Sequence, residues 1–318
     1  HSKTKRALTV DDILSVKRLR HPVLSPDGAL AAFTVSEPSA KGSKQPGYSS
    51  IWLQPIGGGI ARRFTRAQSN ASSPTFSPDG QTLYFTSKRG KGAKRQVWAI
   101  RLDGGEATPV TAAVEGVRRY RLSHSGQWLA YLTVASRTKS QEDAISKGDD
   151  AFVAGKYVRH QHLMVQPVNG SAPAVRISRE DKTVFDMDWA PDDRNLVFMF
   201  SDSPKSDDNY MFRSLAKIDR KNKSVQLLAK DMGKMVSPRV SPDGRTIMWR
   251  GALQKNEATT GTIWSIPFNG GKPKTLNKAR EETVYSAEWI DKRSLLVTAV
   301  TGTRSHLSIR STTGKITM

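Results

Sequence analysis

The sequence has 318 residues, of which 37% are hydrophobic and 8% aromatic, so it can bury a sizeable core and is not the composition of a disordered chain. It contains no cysteine, which excludes disulfide bonds, thiolate nucleophiles and cysteine–zinc sites, and fits an exported, periplasmic bacterial protein as well as a cytosolic one. The net charge of +21 favours a basic, soluble surface first, a partner with an acidic face second and a polyanion such as nucleic acid last.

The first predicted element is a short helix in an N-terminal leader that we assign to residues 1–20. Thr9 can cap this helix, and Asp11 and Asp12 in its first turn complement the helix dipole. Three apolar residues recur at helical spacing and would share one face: Ile13, Val16 and Leu19. We therefore expect residues 8–20 to contain no strand and to pack on the rest of the fold or on a neighbouring domain.

A tight turn recurs through the remaining chain at intervals of about 50 residues. Three copies read Ser-Pro-Asp-Gly and begin at Ser25, Ser77 and Ser241. Three weaker copies follow the same outline: Ser123-His124-Ser125-Gly126, Ala190-Pro191-Asp192-Asp193 and Ile290-Asp291-Lys292. Proline presets φ at the second position, and glycine supplies the positive φ of a bulged hairpin. Because strand-like runs flank these turns, each copy predicts a hairpin.

Apolar residues recur at two phases of this repeat. The residue before each turn forms an apolar column: Leu24, Phe76, Leu122, Trp189, Val240 and Trp289. A second hairpin opens in each unit with one of six strand-like runs: 51–53, 97–99, 162–165, 214–218, 263–265 and 306–309. We interpret the tryptophans at these positions as core between repeats rather than as an aromatic ligand cage, because a ligand site would occur only once.

Two hairpins in each unit predict four antiparallel strands, which form one blade of a β-propeller. We therefore predict an all-β fold with a short N-terminal helix and a β-propeller of six four-stranded blades over residues 21–318. The predicted units are 21–68, 69–114, 115–180, 181–232, 233–280 and 281–318, and the third contains an insertion at 136–160. An open fragment of a seven- or eight-bladed ring is the alternative.

The sequence contains no recognisable catalytic pattern. It has neither a Gly-x-Ser-x-Gly nucleophile elbow nor a phosphate-cradling glycine loop, so we predict no catalytic residue, no cofactor and no metal. His160 and His162 alternate on a predicted strand, but a third metal ligand would have to come from elsewhere. Three carboxylate pairs lie in loop-like sequence: Asp149-Asp150, Asp207-Asp208 and Glu281-Glu282. Each pair is either solvated or holds a cation or a substrate amine. The basic segment 88–95 lacks interleaved aromatic residues, which gives base stacking little support.

Three segments near the N-terminus form a recognisable set: Leu8-Thr9-Val10-Asp11-Asp12-Ile13-Leu14, His21-Pro22-Val23-Leu24-Ser25-Pro26-Asp27-Gly28 and Ala32-Phe33-Thr34-Val35-Ser36. They are similar to the start of serine peptidases of the prolyl oligopeptidase family, which this chain resembles. In the acylaminoacyl-peptidase and dipeptidyl-peptidase-like branch, the third unit often has an acidic pair followed by a His-Leu strand. Asp149-Asp150 and His162-Leu163 match that order. The Ser-Pro-Asp-Gly repeat alone is shared with the periplasmic Tol-system propeller.

The resemblance implies a propeller that caps a C-terminal α/β-hydrolase domain, shields its Ser, Asp and His residues and admits only short or unstructured peptides. Because the sequence stops at Met318 after the sixth unit, we expect that domain and a final blade to be absent, and these 318 residues alone to hydrolyse nothing. The dipeptidyl branch holds a substrate ammonium with a Glu-Glu pair, as opposite charges favour. We therefore predict five substrate-binding residues: Asp149, Asp150, Arg280, Glu281 and Glu282.

Two functions remain open from the sequence. One is a substrate-gating domain whose partners are the hydrolase domain of its parent chain and short peptides. The other is a stand-alone, Tol-system-like scaffold that binds a protein or a polyanion, which the six units and the basic charge favour. No apolar stretch is long enough to cross a bilayer, so we predict no membrane partner, and nucleic acid is disfavoured.

Overall fold

Six antiparallel sheets follow one another along the chain, and the strands of each sheet are neighbours in chain order. The computed structural model describes residues 6–39, 42, 47–90, 92–149, 158–257, 259–277 and 281–316. The chain divides into two compact parts, which we call the first and the second unit from here on and which differ from the six predicted repeats. The first is His1–Val117 with two sheets, and the second is Arg118–Met318 with four. Small antiparallel sheets repeated at this period are the blades of a β-propeller, which confirms the predicted all-β fold class.

The first unit contains a helix and two four-stranded blades. The helix is α1 (Val10–Leu14). Blade one comprises β1 (Arg18–Leu24), β2 (Leu30–Glu37), β3 (Tyr48–Pro55) and β4 (Arg62–Arg63). Blade two follows a 3-10 helix (Ala67–Ser69) and comprises β5 (Ser72–Phe76), β6 (Thr82–Ser87), β7 (Gln96–Arg101) and β8 (Thr108–Pro109).

The second unit contains the other four blades. Blade three comprises β9 (Arg119–Leu122), β10 (Trp128–Val134), β11 (Gln161–Pro167) and β12 (Val175–Arg176), with α2 (Lys139–Ser146) between its second and third strands. Blade four comprises β13 (Thr183–Trp189), β14 (Asn195–Ser201), β15 (Ser214–Asp219) and β16 (Val225–Ala229), with α3 (Ser206–Met211) at the corresponding place. Blade five comprises β17 (Met235–Val240), β18 (Thr246–Gly251), β19 (Thr262–Pro267) and β20 (Lys274–Thr275). Blade six comprises β21 (Thr283–Trp289), β22 (Ser294–Thr301) and β23 (Arg304–Ser311), and within the described residues an isolated bridge from Arg310 to Ile316 follows them.

The N-terminal leader is shorter in its helical part than predicted. Thr9 caps α1 as expected, with its side-chain oxygen 3.3 Å from the backbone nitrogen of Asp12. β1 already begins at Arg18, so the prediction that residues 8–20 contain no strand is wrong, and Leu19 lies in the first sheet rather than on the helix. The helix α1 ends after five residues, and backbone N–H and C=O groups within residues 18–24 bond to β2 instead. No helix in the described part of the chain is long and apolar enough to span a bilayer.

The recurring turn owes its shape to a small hydrogen-bond network. Ser25 Oγ donates to Asp27 Oδ1 at 2.5 Å and accepts from the backbone N–H of Leu30 at 2.9 Å. Gly28 has a φ of +71°, as predicted from the bulged hairpin. In the fourth copy Asp193 stands in the glycine position with a φ of +51°, a conformation that aspartate tolerates better than most residues.

The apolar column lies between blades, and its tryptophans also donate hydrogen bonds across them. Trp189 is 1% exposed, and its Nε1 donates to the backbone oxygen of Arg121 in the preceding blade at 3.1 Å. Trp289 makes the equivalent bond to the backbone oxygen of Arg239 at 3.3 Å. Leu24 is the exception, because 63% of it is exposed.

Each hydrophobic core within a unit joins two blades that are consecutive in the chain. Trp98 packs against the core between blades one and two, and Trp264 packs against the core between blades four and five. These contacts agree with the interpretation of the recurring tryptophans as packing residues. The second strands β6, β10, β14 and β18 contribute mostly buried side chains.

Candidate functional site

Each blade has a tight end and a loop end. At the tight end, the recurring turn joins the first strand to the second. At the loop end, longer segments join the second and third strands of the first five blades: 38–47, 88–95, 135–160, 202–213 and 252–261. Connections between successive blades lie at this same end, because antiparallel strands alternate in direction. The predicted substrate-binding residues that the structure describes, Asp149, Glu281 and Glu282, therefore belong to loop-end segments.

In the second unit, the first strands of successive blades carry charges of alternating sign. The residue before the apolar column is arginine in β9, aspartate in β13, arginine in β17 and glutamate in β21, and we call this set the charge row: Arg121, Asp188, Arg239 and Glu288. Arg239 Nε and Nη2 donate to the two carboxylate oxygens of Glu288 at 2.8 and 3.0 Å. Asp188 accepts a hydrogen bond of 3.0 Å from the backbone N–H of Val240. The charge row thus links blade four to five and blade five to six.

A second charged pair lies two residues earlier on the first strands. Arg119 Nη1 donates to Asp186 Oδ2 at 2.6 Å, and the backbone N–H of Ser237 donates to the same oxygen at 3.1 Å. Asp186 is only 3% exposed, so its carboxylate depends on these partners in place of water. This one side chain connects the first strands of blades three, four and five.

The charge row is electrostatically unusual because three of its four side chains are partly buried. Burial raises the pKa of Asp188, and the positive charges of Arg239 and Arg121 act against that rise. Burial lowers the pKa of Arg239, but Glu288 and Asp188 more than offset it and hold the pKa above its ordinary value. The row can therefore hold blades together and attract polar groups, but its side chains include no hydroxyl or thiol nucleophile. Sequence reasoning missed it, although aligning the repeats on the apolar column would have revealed the alternation.

Glu282 is buried and already has an internal partner. Its two carboxylate oxygens accept hydrogen bonds from both Nη atoms of Arg310, at 2.5 and 2.8 Å, and His306 Nε2 lies 3.4 Å away. Burial raises the pKa of Glu282, but the hydrogen bonds and charge of Arg310 outweigh it and hold the pKa below its ordinary value. Glu281 is exposed, and Arg280 lies outside the described residues. The pairing with Arg310 gives Glu282 a structural role, and substrate binding by this segment stays a prediction.

The 136–160 insertion contains an unpredicted helix, α2. Thr138 caps it, accepting from the backbone N–H of Gln141 at 3.3 Å while Gln141 Oε1 accepts from the backbone N–H of Thr138 at 3.0 Å. This reciprocal pair was visible in the sequence as Thr-x-x-Gln. Asp149 is exposed shortly after the helix, and Asp150 lies outside the described residues. No described hydrogen bond or ion pair joins the acidic residues of this insertion to those at the start of blade six, so their common role also stays a prediction.

His160 and His162 lie side by side at the start of β11. Their rings stack with centroids 6.4 Å apart, and His160 Nδ1 is 2.8 Å from Thr183 Oγ1. Burial and the charge of Arg176 lower the pKa of His162. Among the described residues no cluster of three metal-ligating side chains is present, so the third ligand that the sequence would require is not found there.

Comparison with known proteins adds weak but consistent similarities. No protein-family model matches the chain. The uncharacterized peptidase YuxL of Bacillus subtilis is 28% identical over 148 residues, which are 46% of this chain and 22% of that protein. Dipeptidyl-peptidase 5 of Porphyromonas gingivalis is 21% identical over 347 aligned residues, covering 99% of this chain and 49% of that protein. The chain thus spans about half of the longer match and less of the other.

Solved structures match over almost the whole chain. Acylaminoacyl peptidase of Pyrococcus horikoshii matches with a TM-score of 0.68 and 14% identity, over 96% of this chain and 46% of that one. TolB of Acinetobacter baumannii matches with a TM-score of 0.55 and 15% identity, over 95% of this chain and 63% of that one. The fold is that of their β-propellers. At these identities the matches establish the propeller's fold and leave its function to be proposed.

Proposed function

We propose that this propeller is the non-catalytic, substrate-gating domain of a serine peptidase of the prolyl oligopeptidase family that acts on short peptides. The observation that carries the proposal is the match of 96% of this chain to 46% of acylaminoacyl peptidase. More than half of that peptidase lies outside the match. We infer that the partner of the propeller is a C-terminal α/β-hydrolase domain of its own parent chain.

The charge row and the Arg119–Asp186 pair support a gating role. A gate that admits short peptides and excludes folded proteins must resist separation of its blades. Asp186 bonds to groups of two neighbouring blades, and the Arg239–Glu288 pair joins the next two. Charge-assisted hydrogen bonds of this kind are stronger than neutral ones, so they favour blades that stay together.

The test uses the whole protein encoded by the natural gene. We expect it to react with a fluorophosphonate, which labels activated serines, and we expect its kcat/KM to fall steeply from a short peptide to the same peptide embedded in a folded protein. The 318-residue chain alone should neither label nor hydrolyse the peptide. A gene product with no reactive serine, or one that cleaves both substrates equally fast, would contradict the proposal.

A TolB-like scaffold is the second candidate. TolB of Bordetella pertussis is 42% identical to this chain over 60 residues, which are 19% of this chain and 13% of that protein. With the net charge of +21, such a scaffold would bind a polyanion with a strong dependence on salt. A binding titration of the chain with duplex DNA or an anionic glycan tests this version, and absence of binding at low salt would eliminate it.

A further inference from the structure

A cavity of about 460 Å³ opens at the loop end of blade two, within the first unit. Three cationic side chains and three small residues line it: Arg66, Ala67, Ser69, Lys88, Arg89 and Gly90. Two chain segments form it, the 3-10 helix before β5 and the loop after β6. Ser87 Oγ donates a hydrogen bond to the backbone oxygen of Ser69, which fixes these segments against each other. The described residues that line the cavity include no carboxylate.

Arg89 is held in place by aromatic rings rather than by a counter-charge. Its guanidinium carbon lies 4.4 Å from the ring centroid of Trp98 and 5.7 Å from that of Phe85. Its Nε is buried and has no hydrogen-bond partner. Stacking on tryptophan leaves the edge of a guanidinium free for hydrogen bonds. The side chain is therefore pre-organised before any ligand arrives.

The positive charges of this cavity are poorly compensated. Arg66 Nη2 lies 3.7 Å from Glu106 Oε1, but both side chains are 91% exposed, so water and salt screen this contact. Burial and the nearby charge of Arg66 lower the pKa of Arg89, opposed by Glu106. A bound anion would relieve both the burial penalty and the mutual repulsion of the cations.

We propose that this cavity binds a phosphate group, either as free inorganic phosphate or as a phosphomonoester of a small ligand. A phosphate ester carries about −1.5 to −2 charges at neutral pH and presents three strong acceptor oxygens. Those charges and acceptors suit Arg66, Lys88 and Arg89 together, whereas a carboxylate has one charge and two oxygens. The guanidinium fork of Arg89 would bind two phosphate oxygens, with Lys88 and Arg66 at the mouth.

Calorimetric titration of the full chain tests the site, with phosphate and acetate compared at equal ionic strength. We expect phosphate to bind and acetate not to. Arg89→Met should weaken the phosphate Kd by about ten- to a hundredfold, the worth of a charge-assisted hydrogen bond. Arg89→Lys keeps the charge without the fork and should lose less. Phosphoserine distinguishes the two sources: tighter binding than inorganic phosphate indicates a phosphomonoester, and equal binding indicates the free ion.

Arg95→Gln is the matched control, because Arg95 lies in the same loop, is exposed and does not line the cavity. It makes the same change in net charge as Arg89→Met and should leave the phosphate Kd unchanged. An unchanged circular dichroism spectrum and unfolding midpoint would show that Arg89→Met still folds. The proposal fails if acetate binds as tightly as phosphate, if Arg89→Met leaves the Kd within about twofold of the original, or if Arg95→Gln weakens it equally.

Discussion

Arg310 in blade six is buried and Arg89 in blade two is half-buried, but only Arg310 has a counter-charge. The Arg310 side chain is 1% exposed, both its Nη atoms bind Glu282, and its Nε donates to Ser308 Oγ at 3.0 Å. Arg89 rests on Trp98 beside a cavity, with its Nε unpaired. A buried arginine whose three side-chain nitrogens all donate hydrogen bonds within the protein serves the fold, whereas one whose charge is uncompensated beside a cavity is available to a ligand.

The sharpest test of this comparison removes Arg310. Arg310→Met should lower the free energy of unfolding by about 3–5 kcal/mol, because it leaves the carboxylate of Glu282 buried without its partner. Urea denaturation followed by circular dichroism measures this loss. Arg304→Gln, an exposed arginine on the same strand, is the control and should change stability by no more than about 0.5 kcal/mol. A loss below about 1 kcal/mol for Arg310→Met would show that the pair is not structural.

Asp186 should show an intermediate effect, because its one charged partner, Arg119, is half exposed. Asp186→Asn keeps the shape of the side chain but removes the charge that Arg119 and the backbone N–H of Ser237 share. We expect a loss of about 1–3 kcal/mol in unfolding free energy. Asp202→Asn, whose side chain is 80% exposed in its pair with Lys182, should change stability by less than about 1 kcal/mol. Equal losses of unfolding free energy for Asp186→Asn and Asp202→Asn would show that the buried Asp186 contributes no more than an exposed ion pair.

Protonating Glu282 with acid should lower the free energy of unfolding by a smaller amount still, because the Arg310–Glu282 pair then loses only the charge of the carboxylate. The pKa of Glu282 lies below the ordinary 4.5 in the folded state, so the stability it contributes is present above pH 4.5 and disappears as pH falls through the folded pKa. The difference in unfolding free energy between the original chain and Glu282→Gln should therefore narrow below pH 4.5. His306 is the other titratable group facing Glu282, so both proteins compared carry His306→Gln, one with Glu282 and the other with Glu282→Gln. A difference that stays constant down to pH 3 would exclude this ionisation.

The sequence predicted features that depend on neighbouring residues and missed those that depend on distant ones. The Ser25 turn repeats because its hydrogen bonds lie within five residues, so its copies could be counted and converted into blades. The charge row joins residues about 50 positions apart, and nothing local marks Arg239 as the partner of Glu288. Glu282 shows the same limit, since nothing local in the sequence marks Arg310, 28 positions away, as the partner of its carboxylate.

Arg89→Met should have the smallest effect on stability. It tests the other half of the comparison, that Arg89, unlike Arg310, has no structural counter-charge. The substitution removes a cation–π contact with Trp98, worth about 0.5–2 kcal/mol, but also removes a half-buried charge that no carboxylate of the cavity balances. Since these changes oppose each other, we expect the free energy of unfolding to change by less than about 1 kcal/mol in phosphate-free buffer. A loss as large as that of Arg310→Met would mean that Arg89 has a structural partner after all. With phosphate present, only the original chain should gain stability, because a ligand stabilises the state that binds it.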